Sequence, residues 1–217
     1  MFGFLVTKAK KSLGQNFLID KNILEKIVNA TDISNKTILE IGPGTGNLTS
    51  YILKKNPKKL FVIEKDNELS NNLENKFHNQ ITVINDDVLS IDETKLFKEE
   101  VTVFGNLPYN ISTEILSKWI INLKDKFWFR SLVLMFQKEV ANRIIAEFNT
   151  SYYGRLSIIS NWKLNIKKIC DVKPEAFFPK PKIDSSLLLF YPKKNFIKIE
   201  DPVNLEKVTR VFFNQRR

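Results

Sequence analysis

Three glycines, Gly42, Gly44 and Gly46, follow an apolar run in TILEIGPGTGNLT (37–49). This reads as a strand entering a tight turn that opens a helix, with glycines letting the turn close and a ligand approach the backbone. A dinucleotide fingerprint would place its third glycine at position 47, which is Asn47, so the spacing counts against NAD or FAD. No Gly-Lys-Ser/Thr follows either, so the loop is no P-loop. Glu64 closes the next apolar run, where a carboxylate can accept from both hydroxyls of a ribose. Asp87 follows the third run, placed to accept from an adenine amino group. With Glu40 inside the first run, these residues describe a pocket for an adenosine-type cofactor. The loop lacks phosphate-binding chemistry, so S-adenosylmethionine, leaving as S-adenosylhomocysteine, fits better than a phosphorylated one.

The fourth apolar run ends in Asn106-Leu107-Pro108-Tyr109. The amino group of an adenine has its lone pair delocalised into the ring. To attack a methyl sulfonium it must move toward tetrahedral geometry, which acceptors for both of its N–H bonds would favour. The Asn106 side-chain oxygen and the Leu107 carbonyl can serve if Pro108 stiffens the turn, and Tyr109 can stack on the base. No strong base is needed, because the proton can leave after methyl transfer. Positioning and electrostatics would supply most of the acceleration. In isolation the tetrapeptide would be an ordinary proline turn; its place at a strand end, after the cofactor loop, gives it meaning.

These residues need strands to carry them. Near-continuous apolar runs occur at 37–41, 60–64, 81–85, 101–106, 131–136, 156–160 and 185–191, with amphipathic stretches such as 22–30, 67–77 and 112–123 between them. Runs without alternation suit strands buried on both faces, and strands alternating with helices predict a doubly wound, mostly parallel α/β sheet of seven strands. Pro174, Pro179 and Pro181 argue against a crossover helix before the last run, so that strand is expected antiparallel. Residues 1–192 are expected to form a Rossmann-like domain. The segment 193–217 reads as the opening helix of a second, helical domain that is largely missing.

Composition bounds the partners. Lys+Arg number 34 against 24 Asp+Glu in 217 residues, a net charge of +10 that suits a polyanion without choosing one. The one cysteine, Cys170, allows no internal disulfide and no multi-cysteine zinc site; no metal is expected, and a reducing, cytoplasmic setting fits. No run reaches the ~18 apolar residues of a membrane span. His78 is expected at the surface and Cys170 in packing. The runs KKNPKK (54–59) and KLNIKK (163–168) are either solvated loop charges or phosphate contacts; Lys8, Lys10 and Lys11, beside GQNFL, are better placed to meet RNA.

KSLGQNFLID (11–20), LEIGPGTGNLT (39–49), VIEKD (62–66), FGNLPYNIST (104–113), YGRLS (153–157) and EAFFPKPKIDSSL (175–187) resemble the ribosomal RNA adenine N6,N6-dimethyltransferases, above all their housekeeping KsgA/RsmA type. The resemblance implies a class I methyltransferase fold with a C-terminal helical domain. It also implies dimethylation of two adjacent adenosines near the 3′ end of 16S rRNA in the immature small subunit, by a monomer. Carried across, cofactor contacts fall on Asn16, Leu18, Gly42, Glu64, Asp87 and Asn106, with Gly44 and Gly46 in the same loop. Asn106, Leu107, Pro108 and Tyr109 become the catalytic tetrapeptide, and Phe178 a second aromatic wall. The alternatives are an Erm-type methyltransferase of 23S rRNA, a DNA adenine methyltransferase, whose tetrapeptide usually starts with Asp, and a non-catalytic rRNA-binding assembly factor.

Overall fold

The structure, a computed structural model, describes residues 9–10, 13–123 and 126–214. In chain order its elements are β1 (Phe17–Leu18), α1 (Lys21–Val28), β2 (Thr37–Ile41), α2 (Asn47–Leu53), β3 (Lys59–Ile63), α3 (Asn67–Phe77), β4 (Thr82–Ile84), α4 (Glu93–Leu96), β5 (Val101–Gly105) and α5 (Ser112–Ile121). There follow β6 (Phe129–Gln137), α6 (Lys138–Ile144), α7 (Arg155–Lys163), β7 (Leu164–Val172), β8 (Phe177–Phe178), β9 (Ser185–Pro192) and α8 (Pro202–Asn214). Seven strands form one sheet in the order β4-β3-β2-β5-β6-β9-β7, all parallel except β9, which runs against both its neighbours. Strands β1 and β8 make a separate antiparallel pair. The chain reverses its direction of winding between β2 and β5, and ligands of open α/β sheets bind at the strand ends beside such a switch point.

Alternate residues of the central strands enter two cores. Leu39, Val103, Leu132, Leu134 and Leu188 pack with α5, α6 and α7 on one face. Ile38, Phe104, Val133, Met135 and Leu187 pack with α1 and α2 on the other. Burial on both faces is why these strands read as unbroken apolar runs. The antiparallel last strand was expected from the prolines; the 174–184 segment holds a short turn at Pro174–Ala176 and then β8.

One expected strand is corrected. Residues 156–160 lie within helix α7, and the strand is β7, Leu164–Val172, which takes up most of the 163–168 run expected as solvated loop charges or phosphate contacts. A five-residue apolar run does not distinguish a buried strand from a buried helical turn. Here Ser157 caps the segment through reciprocal bonds with Gly154, and Ile159 turns into the core. The lysines fit because β7 is a sheet edge, where charged residues are tolerated and discourage pairing with other chains. The expected C-terminal helix forms as α8, joined to the start of α7 by an Arg155–Glu206 ion pair of 2.7 Å.

Candidate active site

A cleft opens over the C-terminal ends of β2, β3 and β5, lined by the 13–18 segment, the glycine loop, Glu64, Asp87 and Asn106–Asn110. Gly42, Gly44 and Gly46 all adopt left-handed backbone. Nothing lies within 4 Å of where a Cβ on Gly42 would stand, so its backbone is bare to the cleft. A Cβ on Gly44 would come within 2.8 Å of the Phe17 ring, which closes the loop from above.

Glu64 is buried and held from both sides. The backbone N–H of Gly44 donates to Oε2 at 3.0 Å and that of Asp66 to Oε1 at 3.0 Å. Each oxygen keeps a lone pair for a ligand hydroxyl. Burial pushes the Glu64 carboxyl above its usual range, against the pull of those N–H groups. Asp87 lines the cleft with its Oδ2 paired to Lys65 Nζ at 2.6 Å and its Oδ1 accepting from Leu89 N–H at 2.9 Å. Those bonds hold its carboxyl below the usual range. Glu40, beneath the loop, accepts from Thr49 Oγ1 at 2.6 Å; its complete burial pushes it up to about 8.

The N-terminal segment spans the cleft. Lys10 Nζ and Gln15 Nε2 donate to the buried carboxylate of Asp66 at 2.8 and 3.1 Å. That carboxylate also caps α3 through Glu68 N–H. Leu18 is buried, and its carbonyl accepts from Asn47 Nδ2 at 2.9 Å. Asn16 reaches the other end of the cleft: its backbone carbonyl accepts from Asn106 Nδ2 at 2.8 Å, while its own Nδ2 turns back to the Gly14 carbonyl.

This bond decides the geometry of the tetrapeptide. With Nδ2 committed to Asn16, the Asn106 amide exposes Oδ1 as an acceptor. The Pro108 carbonyl is taken up by the N–H groups of Ile111 and Ser112, whereas the Leu107 carbonyl accepts no hydrogen bond among the described residues. Tyr109 is half-buried, and its hydroxyl meets Ser185 Oγ at 2.6 Å. Pinned by its tip and with its ionisation pushed up by burial, the ring offers a face rather than a proton. Two acceptors at one strand end, beside an aromatic face and a glycine-lined nucleoside pocket, suit methyl transfer to an aromatic amino group.

The family model described as "Ribosomal RNA adenine dimethylase" matches residues 6–217. The chain belongs to the ribosomal RNA adenine dimethylase family. It is 68% identical over 213 residues to "Ribosomal RNA small subunit methyltransferase A" of Pelagibacter ubique, covering 98% of this chain and 81% of that one. The protein of the same name from a Wolbachia strain of Drosophila simulans is 44% identical, with 97% and 78% covered. Among solved structures, a dimethyladenosine transferase from Plasmodium falciparum superposes with a TM-score of 0.76 at 30% identity, covering 93% of this chain and 72% of its own. The 23S rRNA methyltransferase ErmE shares the fold, with a TM-score of 0.74 at 22% identity, 92% of this chain and 79% of its own being covered. This dimethylase is therefore an S-adenosylmethionine-dependent rRNA methyltransferase. Its cleft fits that cofactor: bare backbone at Gly42, a ribose-ready carboxylate at Glu64, and a loop, 42–47, with no lysine or arginine of its own.

Asn16, Leu18, Gly42, Gly44, Glu64, Asp87 and the tetrapeptide all lie on this one cleft, and Gly46 caps α2 just behind it. Phe178 does not line it. The buried aromatic of that pair is Phe177, while Phe178 is 60% exposed, one strand spacing from the lining residue Phe17. The basic residues need revision as well. Lys10 is committed to Asp66, and Lys8 and Lys11 lie outside the described residues. Lys163 is buried with its ammonium on the carbonyls of Ile120 and Leu123, and Lys168 pairs with Asp171. His78 is exposed and Cys170 half-buried, as expected. Asp66, Gln15, Ser185 and Gln137 escaped the sequence reading; an acidic residue opening the amphipathic 67–77 stretch was the available signal for Asp66.

Proposed function

We propose that this dimethylase transfers methyl groups to the N6 atoms of two adjacent adenosines near the 3′ end of 16S rRNA, in the immature small subunit, and acts as a monomer. The Pelagibacter and Wolbachia relatives, named as small-subunit methyltransferases, support that target over large-subunit RNA. Residues 1–192 serve as the catalytic unit and 193–217 as the start of a helical one. A cytoplasmic location accords with this substrate.

The carrying observation is the Asn16–Asn106 bond, which leaves Asn106 Oδ1 and the Leu107 carbonyl open side by side. Glu64 would hold the cofactor ribose and Asp87 the adenine amino group, with Asn16, Leu18 and the glycine loop around the remainder. S-adenosylmethionine, when bound, supplies an electrophilic methyl group on sulfur. Asn106 Oδ1 and the Leu107 carbonyl accept the two N–H bonds of the target amine and draw it toward tetrahedral geometry. Tyr109 stacks on the base from one side and Phe178 closes on the other. The amine so held would take up the methyl group that the cofactor supplies and would pass its proton to water. Rate comes from fixed acceptors in a water-poor cleft.

Methyl incorporation into immature small subunits, compared with naked large-subunit RNA, tests the reading. Label on the former, mapped by mass spectrometry to two adjacent adenosines near the 3′ end, is expected. Label on large-subunit RNA alone would replace it with an Erm-type activity.

A further inference from the structure

Asn106 Oδ1 and the Leu107 carbonyl read only that an aromatic amine is present. Cytosine and guanine carry such amines too. The flanks of the amine tell adenine apart: adenine presents an acceptor on both, N1 and N7, whereas cytosine has N3 on one and C–H on the other, and guanine N3 on one and N–H on the other. A side chain that reads one of them must be a donor, lie beside Tyr109, and be otherwise uncommitted.

Gln137 meets these conditions. It is the last residue of β6, in register with Ser185 of β9. Residues directly opposite in an antiparallel pair project to the same face, and the Ser185 hydroxyl is the one that anchors Tyr109. Gln137 thus stands beside the Tyr109 ring, and together with Gly14, Asn16 and Asn110 the two line a recess next to the cofactor cleft. Its backbone is fixed on both sides, by the strand register and by the Lys138 N–H, which donates to the Asp184 carbonyl at 2.9 Å. The Lys138 side chain points elsewhere, to Asp171 at 3.0 Å. Among the described residues the Gln137 carboxamide makes no hydrogen bond, although its exposure is only intermediate. Asn110 shares the recess but is exposed on a turn. Asn16 already gives one amide hydrogen to the Gly14 carbonyl.

We propose that Gln137 is a specificity-determining residue: its Nε2 donates to a ring nitrogen flanking the target amino group and so rejects a base that presents N–H or C–H on that flank. The proposal rests on the adenine-N6 reading above. A base with N–H or C–H at that position would leave the carboxamide unpaired against it, and sites built to hydrogen-bond a substrate discriminate strongly.

The test uses the full chain and small-subunit particles whose RNA carries adenosine, 7-deazaadenosine or 1-deazaadenosine at the two target positions, introduced by ligating a synthetic 3′ fragment. Gln137→Ala is expected to lower kcat/KM for the natural RNA by about 10- to 100-fold. Gln137→Glu, which swaps the donor for an acceptor, should lower it further. Both variants should bind S-adenosylmethionine as wild type does, which also reports that they fold. On one of the two deaza RNAs wild type should fall to the level of Gln137→Ala, and the variant should not fall further. Equal rates for wild type and Gln137→Ala on natural RNA would overturn the proposal. So would a variant that loses the same additional factor as wild type on both analogues. Failure of the wild-type chain to methylate the natural RNA would instead overturn the underlying reading, and the proposal with it.

Discussion

The two ends of the cleft are built differently. At the cofactor end nearly every polar group is paired: Glu64 with two backbone N–H groups, Asp87 with Lys65, Asp66 with Lys10 and Gln15, Glu40 with Thr49. At the acceptor end the groups that matter are held by one atom and open at another. Asn106 is fixed through Nδ2 and free at Oδ1, Tyr109 fixed at its hydroxyl and free on its face, and Gln137 fixed only by its backbone. A small cofactor meets a preformed set of dipoles, which costs little reorganisation. A base delivered by a large RNA arrives with its own geometry, so the protein presents unsatisfied acceptors and an aromatic face and lets the substrate complete them.

The contrast can be broken at either end. The largest effect is expected for Asn106→Ala, which removes the side-chain acceptor that the bond to Asn16 orients. Single-turnover methyl transfer at saturating cofactor should fall by about 100- to 1000-fold, on the scale of losing one preorganised partner of the transition state. A variant within a few-fold of wild type would remove Asn106 from the chemistry. Next comes Glu64→Ala. Hydrogen bonds to a charged group contribute about 1.5–3 kcal/mol, so cofactor affinity should drop by roughly 10- to 100-fold. Titration with RNA should hardly change. Equal losses in both titrations would mean that the two ends are not separate.

Phe178→Ala should act the other way round. Stacking on a base is worth about 1–3 kcal/mol, so KM for RNA should rise about tenfold with cofactor affinity unchanged. Unchanged RNA kinetics would leave Phe178 an exposed aromatic with no part in the acceptor end.

A further effect, read as stability rather than as rate or affinity, is one of pH at Glu40. Burial pushes its carboxyl up to about 8 when folded, from an ordinary value of 4.5. A carboxyl raised on folding holds its proton in the native state while the unfolded chain has lost it, so its contribution to stability falls as pH rises between those two values and is level above them. The charged groups facing it, Glu64 and Lys76, act in opposite directions, Glu64 raising it and Lys76 lowering it. Glu40→Gln keeps the neutral shape and removes the titration. Denaturant unfolding should show wild type losing more stability than the variant between pH 5 and pH 8. Parallel slopes would show that Glu40 is ionised in the folded protein.

Much of this arrangement was legible in the sequence because it is local. The glycine spacing, Glu64 at a strand end and the Asn106–Tyr109 turn are each written within a few residues, and buried strands advertise themselves by unbroken apolar runs. The exchange of helix and strand at 156–172 arose where local signals conflict. A buried helical turn there carries Leu156, Ile158 and Ile159, and an edge strand carries Lys167 and Lys168. The tie between Lys10 and Asp66 crosses 56 positions, so no local pattern announces it. The tie between Ser185 and Tyr109 crosses 76 positions, and no periodicity encodes it.

The Asn16–Asn106 bond spans 90 positions, and β1, which adjoins it, pairs with β8 at the far end of the chain. The segment that roofs the cleft docks on Asp66, Asn106 and Phe177, drawn from three distant parts of the chain. Contacts this distant in sequence close slowly, since loop-closure entropy is lost before they repay it. The catalytic amide takes its direction from that roof, so competence for methyl transfer depends on contacts that the sheet itself does not need.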